Sequence, residues 1–299
     1  MLEKLKRAIA GREGPRRDGT NALRLVDGEG DGLPGVEIED FAGRWVVQTR
    51  EGGFPEWLRG VRNELKGPRA IYWKRLGEEK EAPVLVDGEE VTEPFEVIEN
   101  GMRFWIDFSA GYSQGIFLDQ RENRAEARRR AHGKRVLNCF AYTCGFGVAA
   151  ALGGGETVNV DLSKRYLDWG RRNYELNGIG AGHEFIFGDA LNWMERFARK
   201  GRKFDMVILD PPTFSRDKEG RVFTIEDGFP GLVQAAESVL SESGAIFCST
   251  NQRALTPASF RRLIMSGLAK AGAWRMEERR MPVDFTGEQY LKACWVERR

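Results

Sequence analysis

The chain has 299 residues, about twice a typical domain length, so two domains or one large domain with an appendage are expected. Hydrophobic residues make up 41% and 36 glycines add to the non-polar share, which excludes intrinsic disorder despite 30% charged residues. With 46 basic and 45 acidic residues the net charge is +1, so a polyanion has to be met by a local patch rather than by the field of the whole molecule.

Four cysteines (Cys139, Cys144, Cys248, Cys294) lack the paired spacing of a zinc site and are too few for a disulfide scaffold. Reduced thiols, no structural metal and a cytoplasmic location are expected. The start, MLEKLKRAIAGREG, has no apolar signal-peptide core.

Residues 1–17 suggest a short basic amphipathic helix (Leu2, Leu5, Ile9) that runs on as a solvated terminus. From Asn21 to Val97 short extended runs (ALRLVDG, VEIEDF, RWVVQTR, AIYWKRL, PVLVDGE) alternate with Gly, Pro and Asp clusters around one helix, FPEWLRGVRNELKG. This predicts a small β-rich α+β domain over 1–98, the appendage of the larger one.

The second domain is expected over 99–299. FWIDF reads as a strand, GYSQGIFLDQ as a loop and RENRAEARRRAHG as a helix crowded with Arg121, Arg124, Arg128, Arg129 and Arg130. VLNCFAYTCGFGVAAALGGG carries no charge, but its glycines, Asn138 and Thr143 argue for a strand, a turn and a buried helix rather than a membrane span. Strands and helices then alternate: ETVNVD, SKRYLDWGRRNYELNG, HEFIFGD, ALNWMERFARKG, FDMVILD, a long helical stretch to Leu240, AIFCST, PASFRRLIMSGLAKAG and two closing strands. Apolar strands in such alternation form a parallel sheet covered on both faces, an α/β Rossmann-like architecture.

In such a sheet a ligand lies beyond the carboxyl ends of the strands, and the first strand-to-helix turn approaches it closely. Here that turn is FAYTCGFG, where Gly145 and Gly147 let backbone N–H groups face a bound group. Its spacing is not the G-x-G-x-x-G of a dinucleotide site. The second strand ends in Asp161, placed to accept hydrogen bonds from two ribose hydroxyls, and is followed by Leu162 and Ser163. The third ends at Asp189–Ala190, where a carboxylate can take the amine of an adenine, and the fourth at Asp210–Pro211–Pro212. A helix cap is the plain alternative for Asp161 and Asp189. Taken together, the acids call for a ribose, an amino-bearing base and a positive centre, which S-adenosylmethionine combines.

FLDQREN, LNCFAYTCGFGVAA, LDPPTFS and the closing QYLKA resemble class I methyltransferases of bacterial large-subunit (23S) ribosomal RNA, the RlmI and RlmK type. LRLVDGEGDGLPGVEIEDF is similar to their linking β-rich domain, so the resemblance spans residues 20–299. It implies a seven-stranded, mostly parallel sheet with an antiparallel last strand, S-adenosylmethionine as donor, S-adenosylhomocysteine as product, and a base of rRNA, free or in a pre-ribosomal particle, as acceptor. It further implies that Phe117, Asp119, Gln120 and Arg121 line the methionine end, and that Phe140, Ala141, Tyr142, Thr143, Gly145 and Phe146 form the first loop. A monomer or homodimer with no membrane contact is expected. Many relatives carry an RNA-binding PUA domain ahead of the β-rich unit, and none is expected in this chain.

Methylation of cytosine C5 requires a thiolate to add at C6 first. In the cytosine-modifying relatives that cysteine follows the fifth strand, where AIFCSTNQR puts Asn251; Cys248 lies inside the strand and reads as a buried thiol. STNQR is similar to the guanine-N7 members, whose acceptor has an in-plane lone pair and needs only positioning. The expected reaction is direct in-line transfer to a guanine nitrogen, with Asp210, Pro211, Pro212 and Asn251 at the acceptor side, Phe214 stacking on the base, and Arg216, Lys218 and Lys292 reaching the RNA. An exocyclic amine is the neighbouring acceptor. The helix from Arg121 with Lys134 and Arg135 is the clearest basic stripe, either an RNA face or a solvated one. Competing classes are a C5 enzyme, a methyltransferase of a small molecule or protein, a non-catalytic assembly module, and an NAD-linked oxidoreductase.

Overall fold

The computed structural model describes residues 1–65, 67–77, 81–111, 113–216, 222–269 and 273–298; for 17, 214–216 and 222 it describes the backbone alone. Contacts divide the chain into two units, one of residues 1–122 with 281–289, the other of 123–280 with 290–299.

In the first unit β1 (Ala22–Asp27), β2 (Val36–Phe41), β3 (Arg44–Thr49), β4 (Ala70–Arg75) and β5 (Val84–Gly88) form one sheet in sequence order, with β3 and β4 its parallel pair. The expected long helix is instead a turn of 3-10 helix (Glu56–Leu58) and a short α-helix, Val61–Leu65, parted at Gly60, whose left-handed backbone (φ +76°) interrupts the helix. The N-terminal helix, α1 (Leu2–Ala10), is not a solvated terminus: Leu5 and Ala8 are buried in one cluster with Leu23, Leu25 and Ile38. Its apolar stripe is short, but it covers a sheet face that would otherwise meet water.

The domain boundary expected at residue 98 cuts through a hairpin. β6 (Phe95–Glu99) pairs antiparallel with β7 (Met102–Ile106) across Asn100 and Gly101, at φ +49° and +73°. Positive φ at both central residues is the usual two-residue hairpin turn, for which Asn-Gly is the strongest short signal.

Residues 281–289 belong to this unit through buried polar contacts. Asp284 accepts two bonds from Arg121, at 2.9 and 2.5 Å, and one from the backbone N–H of Arg24 at 2.9 Å. Arg12 donates to the Asp284 carbonyl at 2.8 Å, and Asp27 accepts from Gly287 N–H at 2.7 Å. Gly30 has no room for a side chain, since a Cβ there would lie 2.3 Å from the Thr286 backbone.

The second unit is built on β8 (Arg135–Cys139), β9 (Glu156–Asp161), β10 (Glu184–Phe187), β11 (Phe204–Leu209), β14 (Leu240–Thr250), β15 (Trp274–Arg279) and β16 (Lys292–Arg298). Their order across the sheet is β10-β9-β8-β11-β14-β16-β15, with β16 antiparallel to both neighbours. The seven-stranded, mostly parallel α/β sheet expected from the sequence is present, and the order reverses between β8 and β11. The period of two along the strands fills both faces. Leu137, Cys139, Val207, Leu209, Ile246 and Cys248 pack with α7 (Ala190–Arg199), α8 (Ile225–Val239) and α9 (Pro257–Gly267). Val136, Met206, Ile208, Ala245 and Phe247 join a cluster with Ala127 of the helix Arg121–Arg130, with Ala131 just after it, and with Phe146 and Ala150 of α5 (Gly145–Leu152). The uncharged stretch is therefore β8, a turn and a buried helix, and no helix among the described residues is long and apolar enough to cross a membrane. The helical stretch expected up to Leu240 begins only at Ile225, where Thr224 caps α8. Before it, β12 (Phe214–Arg216) pairs with β13 (Val222–Thr224).

Candidate active site

The carboxyl end of β8 turns through residues 140–144 before α5. Phe140, Tyr142 and Cys144 have φ of +56°, +49° and +61°, a region that L residues with bulky side chains rarely enter. Several bonds hold the turn: Ala141 N–H to the Val160 carbonyl at 3.0 Å, Tyr142 N–H to Asp161 Oδ2 at 2.8 Å, and Asn173 Nδ2 to the Thr143 carbonyl at 2.9 Å. The Tyr142 ring meets Tyr166 edge-on at 4.5 Å. A turn so constrained persists only because its surroundings over-determine it, which is typical of a ligand-facing segment.

Two expectations about this loop change. Gly147 is a packing glycine rather than one that faces a ligand, because a Cβ there would fall 2.1 Å from Asn159 Oδ1 and 2.5 Å from the Tyr174 hydroxyl. Phe146 turns its ring into the core, 5.2 Å from Phe247, so what it offers the loop is its backbone.

Asp161 ends β9 and is not a helix cap. Ser163 is the cap of α6 (Lys164–Leu176), accepting from Tyr166 N–H at 3.3 Å. The Asp161 carboxylate instead accepts Tyr142 N–H on one oxygen and Ser163 N–H on the other, both at 2.8 Å. Burial pushes its carboxyl up while these two amides pull it down. Each oxygen keeps a second lone pair, enough for the two hydroxyls of a ribose. Asp189 does cap a helix, with Oδ1 accepting from Asn192 N–H at 2.9 Å, and Ala190 behind it is buried.

Three apolar side chains stand exposed beside these acids: Leu162 at 61%, Phe187 at 50% and Leu191 at 36%. Phe187 lies in register with Asp161. The sequence reading missed Phe187 and Leu191; the available signal was an apolar residue just outside a strand end that carries an acid.

At the other half of the strand ends, Asp210 follows β11 and accepts the Ser249 hydroxyl of β14 at 2.6 Å. Ser249 also escaped the sequence reading. Pro211 is buried and Pro212 exposed, and Asn251 is exposed directly after β14. Lys292 pairs in register with Thr250, so it comes from the antiparallel strand to the same end. Its ammonium is not free to reach RNA: Nζ donates to the carbonyls of Gln252 at 2.7 Å and Tyr290 at 2.9 Å, in a 7% exposed site. Burial and then Arg253 lower its affinity for the proton. Phe214 and Arg216 lie on β12, where the description stops at the backbone, and Lys218 falls outside the described residues.

Phe117, Asp119, Gln120 and Arg121 belong to the first unit, around the one-turn helix Leu118–Gln120. Phe117 is 45% exposed, whereas Arg121 is committed to Asp284 rather than to a ligand. The basic stripe dissolves on inspection of α4 (Arg121–Arg130). Arg121 and Arg124 are buried, and Arg130 is held by Glu126, Glu277 and Glu297 over the Trp295 ring. Arg130 is thus part of a structural seam with glutamates of two strands, whereas Arg129 and Arg135 stay exposed.

The residues present fit S-adenosylmethionine on the chemistry of this donor set: a two-point carboxylate at Asp161, apolar Leu162 and Phe187 flanking it, and a tight turn from Phe140 to Gly145. The family model of S-adenosylmethionine-dependent methyltransferases matches residues 71–280. The chain belongs to that family.

Among curated relatives of this methyltransferase is ribosomal RNA large subunit methyltransferase I of Aeromonas salmonicida, 33% identical over 284 residues, covering 91% of this chain and 72% of the relative. The protein of that name from Escherichia coli is 32% identical, with 86% and 67% covered. A solved structure of SMU.776 complexed with SAH superimposes with a TM-score of 0.88 at 29% identity, over 99% of this chain and 81% of that one. The SAM-dependent methyltransferase of Agrobacterium tumefaciens shares the fold, with a TM-score of 0.72 at 22% identity over 92% and 88% of the two chains.

Proposed function

We propose that this methyltransferase modifies a base of large-subunit ribosomal RNA in the cytoplasm, as a monomer or homodimer, by direct in-line transfer to N7 of a guanine. The carrying observation is that all four cysteines are buried. Cys248 is 0% exposed inside β14, and burial raises its thiol well above the ordinary range. A cytosine-C5 enzyme needs a reachable thiolate, so four buried thiols favour chemistry that proceeds without one. The ribosomal substrate class rests on the names of the relatives.

Bound at the strand ends, S-adenosylmethionine supplies an electrophilic methyl group that a nitrogen lone pair takes without a covalent enzyme intermediate. Asp161 would hold the ribose hydroxyls, Leu162 and Phe187 would flank the adenine, and Asp189 would accept its amine. Ser249 fixes Asp210, and Pro211–Pro212 stiffen the loop, so the acceptor base meets a preset surface completed by Asn251. Lys292 ties the segment after β14 in place, which is a positioning role.

The test is nucleoside mass spectrometry of rRNA from a strain lacking the gene, treated with the protein and methyl-labelled S-adenosylmethionine. Label in 7-methylguanosine is expected. Label in 5-methylcytidine would refute the acceptor, and a cofactor-binding protein that labels no nucleoside would refute the RNA substrate.

A further inference from the structure

The first unit contains a cavity of about 860 Å³, within the usual range of ligand sites and far larger than one free phosphate group. Its wall mixes charges, but they are not equally satisfied. Asp40 is held by Arg16 at 2.8 Å and by Gly43 N–H at 2.7 Å. Glu96 takes two bonds of 2.6 Å from Arg103. Arg44 and Arg69, on the same wall, form no ion pair among the described residues.

These two arginines are placed together by the backbone. Arg69 N–H donates to the Gly43 carbonyl at 2.6 Å just before β4, and Arg44 opens the parallel neighbour β3 in register with Ala70. The Arg44 guanidinium lies over the Phe95 ring at 4.3 Å, which fixes its plane. Burial, and after it the neighbouring Arg69, hold its proton affinity below the ordinary arginine range. The two like charges on this wall repel, Glu89 acting on Arg44 less strongly than Arg69 does, and a bridging anion with several acceptor oxygens relieves that cost.

We propose that this cavity binds a phosphodiester of the RNA substrate's backbone, with Arg44 and Arg69 as the anion ligands. The inference rests on the ribosomal RNA reading and adds to it a phosphate-binding position in the first unit. A polymer is favoured over a free anion by the size of the cavity and by the exposure of Arg69.

The experiment compares the full chain with Arg44→Gln/Arg69→Gln, using a fluorescein-labelled single-stranded fragment of 23S rRNA and a salt series. Arg44→Lys/Arg69→Lys keeps the charge, and Arg59→Gln/Arg62→Gln removes the same charge elsewhere in the unit. The Gln pair is expected to weaken binding about tenfold and to reduce the slope of log affinity against log salt by roughly 1, while S-adenosylhomocysteine binding is unchanged and the Lys pair recovers part of the loss. Equal affinity and slope for wild type and the Gln pair, or an equal loss in the Arg59/Arg62 control, would overturn the cavity while leaving the RNA reading intact. A wild type that binds cofactor but no RNA would overturn both. Calorimetry with inorganic phosphate is the last arm: binding abolished in the Gln pair without any change toward RNA would assign the cavity to a free anion and overturn the proposal.

Discussion

Cys248 of β14 lies directly opposite Cys294 of β16, both buried in the sheet that carries the strand-end site. The pair sits in the apolar layer beneath α8 and α9, where thiols behave as small hydrophobes.

Replacing Cys248 with alanine is therefore expected to leave methyl transfer within about twofold of wild type, at a cost of about 1–2 kcal/mol in stability from the small cavity left behind. Urea unfolding and labelled-methyl incorporation measure the two effects. Complete loss of transfer in a folded variant would restore a thiolate mechanism.

Asp161→Ala removes the acceptor of Tyr142 and Ser163 N–H and the proposed ribose contact at once. Calorimetric affinity for S-adenosylhomocysteine should fall by roughly 10- to 150-fold, the range of a lost hydrogen bond to a charged group. Because burial raises this carboxyl, affinity should also weaken as pH falls toward the carboxylate range, and the variant should lack that dependence.

Asp40 gives a stability signature. Burial pushes its carboxyl up to about 6 against the pull of Arg16 and the Gly43 amide. A carboxyl raised on folding makes the folded state the better proton binder. Its stabilising contribution is complete below about pH 4 and is lost as pH rises through 6, amounting to up to roughly 3 kcal/mol. Unfolding of wild type and Asp40→Asn from pH 4 to 7.5 should show wild type losing stability relative to the variant across that window. A difference flat with pH would contradict the assignment.

Gly147→Ala places a methyl group against Asn159 and Tyr174 and should destabilise the protein by about 1–3 kcal/mol. Gly145→Ala, whose Cβ would meet the flexible Arg124 side chain at 3.2 Å, should cost less. Thermal melts of the two variants compare them directly.

Leu5→Ala tests whether the N-terminal helix is part of the core. A loss of about 2–5 kcal/mol is expected for a fully buried leucine, against almost nothing for a solvated terminus.

Local pattern was enough for much of this protein. Alternating apolar strands and amphipathic helices marked the parallel sheet, and acids at successive strand ends marked Asp161, Asp189 and Asp210, because strand period and switch-point geometry are written in short stretches of chain. The Asn100–Gly101 turn is equally local, yet the boundary expected at residue 98 falls inside the hairpin that this turn closes.

Tertiary structure alone decided the rest. Arg130 of α4 reads as part of an RNA face or a solvated one until Glu277 and Glu297, more than a hundred residues away, close on it. Arg121 reads as a cofactor contact until Asp284, 163 positions on, takes both of its terminal nitrogens. Periodicity reports which side of an element is apolar, but the partner of a charge is set by which distant segments the fold brings beside it. The return of residues 281–289 to the first unit, and with it the fate of Arg12, Arg24 and Arg121, is a fact of packing that no local window contains.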